Sequence, residues 1–248
     1  MKNIVTNIQR FCLQDGPGIR TTIFFKGCNL NCPWCSNPEN KSFEIEKSID
    51  GVKTYGKEYD IEDLYNEIIK DKLYFANCGG VTFSGGEPLL HAYEMEPLLK
   101  KLKKEHISIA VETACDVPIN YLKQIINYVD YFLIDIKILT ENAKEKINED
   151  VEIFKKNVEL IMESNKEVFF RIPLVRKYTY TKENIKLINK FLNKYNINNV
   201  DVFNVHNLGI DKYRSLGKKY DSFTPLNNED FEYIKEELKG INVNILNV

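Results

Sequence analysis

The chain reads as an α/β protein, an open partial barrel of six β/α units, and three observations carry that reading. Short β-rich runs alternate with amphipathic helical stretches, the pattern of a parallel sheet with helical crossovers. No Pro/Gly/Ser linker, repeat or low-complexity tract interrupts them, so residues 1–248 are expected to form one domain. The polar residues suited to chemistry fall at the carboxyl ends of the runs, where parallel α/β folds bind ligands. Six units are too few to close an eight-stranded barrel, so the sheet should stay open and curved.

Composition sets the outer bounds. A chain of 248 residues is long enough for one large α/β domain. Hydrophobic residues at 43% and charged residues at 28% are ordinary for a soluble globular protein. A formal charge of −2 leaves no basic footprint for nucleic acid. The start, MKNIVTNIQRFCLQ, has no signal-peptide core, and no apolar run approaches a membrane span. A cytosolic, cytoplasmic protein that touches no membrane is expected.

The first strand, 22–25, runs from Asp15-Gly-Pro-Gly-Ile-Arg20 into Cys28-Asn-Leu-Asn-Cys32-Pro-Trp34-Cys35. Three cysteines at C-x3-C-x2-C suit an iron–sulfur cluster. A [4Fe–4S] cubane needs four ligands, so three thiolates would leave one iron open. The alternative is a zinc knot completed by a distant His, but structural zinc sites usually carry a second Cys pair. Cys12, Cys78 and Cys115 stand alone and read as buried small hydrophobes.

A helix over 61–72 leads to the strand 81–84, which ends in Ser84-Gly85-Gly86-Glu87-Pro88. Paired glycines there would let backbone approach a ligand, because no Cβ intrudes. After a helix over 92–105, the strand 107–112 ends in Glu112-Thr113. A helix over 118–128 precedes the strand 131–137, where alternation puts Asp135 and Lys137 on one face. They make either a plain ion pair or a ligand contact, since buried charges need a partner. Next come a helix over 149–164 and a strand over 167–173 carrying Arg171, which either holds a carboxylate or props the barrel rim. A helix over 182–195 leads to the last strand of the six, 199–206, ending in His206. A helix over 228–239 and an apolar stretch over 243–248 finish the chain. His91 and His106 read as helix-surface residues.

The Cys28, Cys32, Cys35 triplet, with Trp34 before its last member, resembles the signature of the radical SAM superfamily. The flanks Asp15-Gly-Pro-Gly-Ile-Arg20-Thr-Thr and Trp34-Cys35-Ser-Asn37-Pro38-Glu39 are similar to those of glycyl-radical enzyme activating enzymes, the pyruvate formate-lyase activase type. So is the His206-Asn-Leu-Gly209 loop with Lys212, Tyr213, Gly217 and Tyr220 behind it. The likeness covers nearly the whole chain. It implies a [4Fe–4S] cluster on the three catalytic cysteines and S-adenosylmethionine (SAM) on the open iron. It also implies SAM contacts from Trp34, Ser84, Gly85, Gly86, Glu87, Asp135, Lys137 and His206, and Arg171, read from its strand-end place, joins them as a candidate cofactor-binding residue. Glu112 and Thr113, with Asp135, would form a monovalent-cation site.

The activity so implied is reductive SAM cleavage to a 5′-deoxyadenosyl radical, which takes a hydrogen atom from a glycine of a partner glycyl-radical enzyme. Residues 207–222 and the turn 15–20 would wall the glycine loop, their glycines letting a peptide come close. A flavodoxin or ferredoxin would supply the electron. The chain departs from longer relatives in having only Cys78 between residues 40 and 80, which excludes a ferredoxin-like insertion. It also reads Ile138-Leu-Thr-Glu-Asn-Ala-Lys-Glu-Lys where relatives show an Asp, His and Thr-Gly series, and Leu174-Val-Arg176-Lys177 where a Pro-Gly turn is common. Two other readings remain beside the activase. One is a small-molecule radical SAM enzyme resembling 7-carboxy-7-deazaguanine synthase. The other is a non-enzymatic cluster or zinc protein.

Overall fold

A computed structural model describes residues 3–76 and 78–246. Its strands are β1 (Asn3–Cys12), β2 (Arg20–Phe25), β3 (Glu46–Lys47), β4 (Thr54–Tyr55), β5 (Lys57–Tyr59), β6 (Gly80–Gly85), β7 (Ser108–Thr113), β8 (Tyr131–Asp135), β9 (Glu167–Leu174), β10 (Asn199–Asn204) and β11 (Asn242–Leu246). One nine-stranded sheet runs β11-β10-β9-β8-β7-β6-β2-β1-β5, and β3 and β4 form a separate hairpin. From β2 to β11 every pairing is parallel, while β1 is antiparallel to both β2 and β5.

The six expected strands are therefore β2, β6, β7, β8, β9 and β10, neighbours in chain order. A seventh parallel strand, β11, forms from the apolar end, whose residues 247 and 248 lie outside the described set. The sheet does not close: β5 and β11 are its two edges. Crossovers between parallel strands are right-handed almost without exception, so a run of neighbours in chain order puts the crossover helices on the same face.

The helices are α1 (Ile61–Ile69), α2 (Ala92–Lys104), α3 (Ile119–Ile125), α4 (Ala143–Ile147), α5 (Val151–Glu163), α6 (Lys182–Lys194), α7 (Ile210–Ser215) and α8 (Asn228–Glu237). The chain's order of contacts, α1 on α2, α2 on α3, α3 on α5, and α6 on α8, builds one outer layer. Four of them, α1, α5, α6 and α8, start at side-chain caps that satisfy otherwise orphaned amides. Asp60, Asp150 and Thr181 accept from the first turns of α1, α5 and α6, and Asn227 with Asp230 makes a capping box on α8. Among the described residues no helix is long and apolar enough to cross a membrane.

Period-two alternation divides each strand between two environments. Val81 and Phe83, Ile109 and Val111, Phe132 and Ile134, Phe170 and Ile172, and Val200 and Val202 point into the apolar core beneath the helices. The intervening positions carry Thr82 and Ser84, Glu112, Asp135, Arg171 and Phe203, and so line the concave face. Arg20 occupies the base of that face, fully buried. Its guanidinium donates to the Thr82 hydroxyl at 2.7 Å, to Pro17 O at 3.0 Å, to Ser108 O at 3.2 Å and to Val81 O at 2.5 Å. The turn 15–20 is thus tied into the barrel interior, where the Asp15 carboxylate accepts from Thr22 and its carbonyl from Thr82.

Candidate active site

Cys28, Cys32 and Cys35 are all free thiols, and all three line one cavity of about 230 Å³ above the carboxyl ends of the strands. The same wall holds Trp34, Ser84, Gly85, Gly86, Glu87, Glu112, Thr113, Asp135 and Lys137. Residues dispersed over 110 positions of sequence meet here because each stands at or just beyond a strand end. Burial pushes the Cys28 thiol up to about 12, and raises Cys32 and Cys35 as well. Thiols so buried ionise only against a bound positive centre, which couples ligand loading to proton release.

At the ends of β8 and β9 the charges are paired. Lys137 donates to Asp135 Oδ2 at 2.8 Å. Burial alone would depress the ammonium, but the charge of Asp135 and its hydrogen bond lead the effects that outweigh it and raise the pKa. Asp135 Oδ1 is buried without a partner, an acceptor left for a ligand. Arg171 donates to Glu112 Oε1 at 2.8 Å and to Gln14 O. Ser84 donates to the other Glu112 oxygen. Burial, only partly offset by Arg171, raises the Glu112 carboxyl.

Some residues serve the chain rather than the cavity. Glu87 accepts from the Thr113 hydroxyl at 2.7 Å, Ala114 N at 2.9 Å and Leu89 N at 3.1 Å, stitching the ends of β6 and β7 together. Burial pushes its carboxyl up to about 7. The glycine pair makes room for protein, not ligand. A Cβ on Gly86 would stand 2.1 Å from Gly27 O, and one on Gly85 2.4 Å from the Phe25 backbone. Gly18 and Gly209 are likewise pressed against backbone, that of Gly79 and of Cys35–Ser36. Those glycines make close approaches within the chain itself.

Arg171 and His206 stand outside the cavity wall. Arg171 reaches it through Glu112, and half-buried His206 accepts from Leu208 N at 3.4 Å through Nδ1. Pro173 and Phe203 also line the cavity from strand-end positions, and being apolar they carry no signal of chemistry in the sequence. Asn37, Asn40 and Lys41 line it from the loop beyond the cysteines.

Three smaller expectations are corrected. His91 is no surface residue: its ring stacks on Phe25 at 4.9 Å, and its Nε2 lies 2.7 Å from Lys26 O. His106 is exposed, but in the left-handed turn after α2. Cys78 is exposed, whereas Cys12 and Cys115 are buried as expected.

The residues fit the group that the triplet implies. The three thiols share one cavity wall, beside an unpartnered carboxylate oxygen and an ammonium suited to an amino-acid ligand.

Comparison with known proteins agrees. The radical SAM superfamily profile matches residues 22–188. The pyruvate formate-lyase 2-activating enzyme of Escherichia coli is 33% identical, over 87% of this chain and 82% of that one. The trans-4-hydroxy-L-proline dehydratase activating enzyme of Clostridioides difficile is 29% identical over 98% of both. In fold, a domain of a pyruvate-formate lyase-activating enzyme from Bacteroides vulgatus superposes with a TM-score of 0.55 at 24% identity, covering 68% of this chain and 99% of that domain. Members of the superfamily work with a [4Fe–4S] cluster and SAM. The chain belongs to the radical SAM superfamily, among the activating enzymes of glycyl-radical enzymes.

Proposed function

We propose that this enzyme generates a glycyl radical on a partner glycyl-radical enzyme by reductive cleavage of SAM. One observation carries the proposal: the three free thiols share a cavity wall with Glu112, Asp135 and Lys137, in a chain whose relatives are activating enzymes. The cluster and SAM, when bound, supply the electron transfer and the hydrogen-abstracting radical.

The chain's own residues hold, orient and shield. Cys28, Cys32 and Cys35 are the cluster ligands, with buried Trp34 closing that side of the cavity against Tyr178. The backbone of Ser84–Gly86 and the Lys137 ammonium receive the amino-acid end of SAM, and Asp135 Oδ1 takes a hydroxyl of its ribose. Arg171 sets Glu112, and Glu87 sets Thr113, so that a cation would meet Glu112, Thr113 and Asp135 already fixed. His206 begins the loop over the cysteines and is assigned to the SAM side of the site. The whole chain acts as one domain in the cytosol, and a flavodoxin or ferredoxin supplies the electron.

The small-molecule alternative receives no support from the relatives named above. The test is anaerobic: reconstitute the cluster, reduce with dithionite, add SAM and measure 5′-deoxyadenosine. A parallel tube adds a peptide copying a glycyl-radical loop and is read by electron paramagnetic resonance. Cleavage with a peptide-dependent glycyl doublet is the expected result. A fully loaded cluster that cleaves no SAM would overturn the proposal.

A further inference from the structure

One buried acid has no place in the chemistry above. Glu149 is 1% exposed, on the short turn between α4 and α5. Its Oε2 accepts from Ile138 N at 3.2 Å, one residue beyond Lys137, while Oε1 has no partner. Burying a carboxylate is costly, and a buried carboxylate with a single bond is a poor structural choice where an apolar side chain would serve.

The turn that carries it also grips the cysteine loop. Asn31 N donates to Ile147 O at 2.8 Å, and Asn148 Nδ2 donates to Asn29 O at 2.7 Å. Asn148 can turn back that way because it holds the left-handed conformation, φ 63°, that ends α4. One short turn therefore touches both halves of the cavity. Asn148 and Ile147 hold the loop that presents the thiols, and Glu149 holds the strand end that presents Lys137.

We propose that Glu149 is a positioning residue, fixing the Lys137–Ile138 backbone relative to the cysteine loop so that the Lys137 ammonium meets the carboxylate of SAM. This rests on the SAM assignment of the preceding section. The role depends on reach: an acceptor must extend to Ile138 N, and the charge is secondary. Lys137 is already paired by Asp135.

Reach and charge are separable by substitution. Glu149→Gln keeps the reach and removes the charge, Glu149→Asp keeps the charge and retracts the acceptor, and Glu149→Met removes the acceptor at similar volume. SAM affinity is measured by calorimetry on the reconstituted protein, with iron content determined alongside. At unchanged iron, we expect E149Q within about twofold of wild type and E149D roughly fivefold weaker. E149M should be about tenfold weaker, the scale of one lost hydrogen bond at a buried polar group. In a Lys137→Met background the E149D penalty should vanish, which a merely structural defect would not do.

Should E149M fail to fold, the E149Q and E149D pair decides. E149D matching wild type while E149Q weakens, or an equal penalty in both backgrounds, would overturn the inference. Loaded wild-type protein that binds no SAM would instead bring down the functional reading on which it stands.

Discussion

At the scale of single residues, the site is a set of charges that burial would penalise and that neighbours rescue to different degrees. Lys137 is rescued by Asp135, whereas Glu87 and Glu149 are pushed up to about 7. An acid raised on folding favours the folded chain when protonated. The stability Glu149 contributes is therefore fully present below its ordinary value of 4.5, and is lost as pH rises through about 7. For the cluster-free protein, the stability of wild type relative to E149Q should fall by up to about 3 kcal/mol between those limits. Urea unfolding of both proteins at pH 5 and pH 8 measures it, and a difference independent of pH would refute the assignment. Glu149 was illegible in the sequence, because nothing distinguishes a buried Glu between two helices from an exposed one. The cysteines and Asp135–Lys137 were legible, since their spacing and apolar setting leave few other readings.

At the scale of elements, the segment after the cysteines is clasped to the segment after β10. Lys26, whose side chain is wholly buried, donates to Glu39 O and to Glu46 Oε2, and Lys218 donates to Glu46 Oε1 at 2.8 Å. Lys212 joins Glu39 at 2.6 Å, and Ile49 N donates to Ser215 O at 2.8 Å. Glu46→Gln should therefore cost about 1–3 kcal/mol at neutral pH, because buried Lys26 loses its counter-charge and one amide oxygen cannot accept from both Lys26 and Lys218. Burial opposes ionisation of Glu46, but Lys218 and Lys26 prevail and lower its pKa. That stability is present above the ordinary carboxylate range and is lost as pH falls, so the E46Q penalty should fade in acid. A thermal melt series from pH 7 to pH 3 measures this, and a pH-independent penalty would count against it.

The glycines make a second prediction at this scale. Gly86→Ala drives a Cβ into Gly27 O, so the cluster-free chain itself should lose about 1–3 kcal/mol. Unfolding of the cluster-free variant tests this. Unchanged stability with only SAM binding lost would restore the view that Gly86 makes room for ligand. The clasp was not legible in advance. The hairpin β3–β4 has two residues per strand and α7 has six, too few to show a period. The antiparallel β1 does carry a sequence signal, the β-branched Ile4-Val5-Thr6 followed by Ile8.

At the scale of the molecule, the fold and the site rest on separate apolar groups. The large core runs under the helices from Val5 to Leu238, and the cysteines pack in a smaller group with Leu30, Trp34, Ile138, Ile147 and Val175. Six of the seven parallel strands could be read from sequence because the large core forces the period-two pattern that marks them. The site follows from that same pattern, since residues on the opposite face meet at the strand ends. Small metal-dependent domains are unfolded without their metal, because the ligands are also the core. Here the large core between the sheet and its helices forms without any contribution from the three cavity thiols. Cys28→Ala should therefore abolish iron loading and SAM cleavage, yet leave cluster-free stability within about 1 kcal/mol of the cluster-free wild type, since the change removes one sulfur atom at the cavity wall and nothing from the large core. Iron content, 5′-deoxyadenosine release and urea unfolding of the two cluster-free proteins decide the matter together. A variant that fails to fold would mean that the cysteine loop organises the barrel as well as the chemistry.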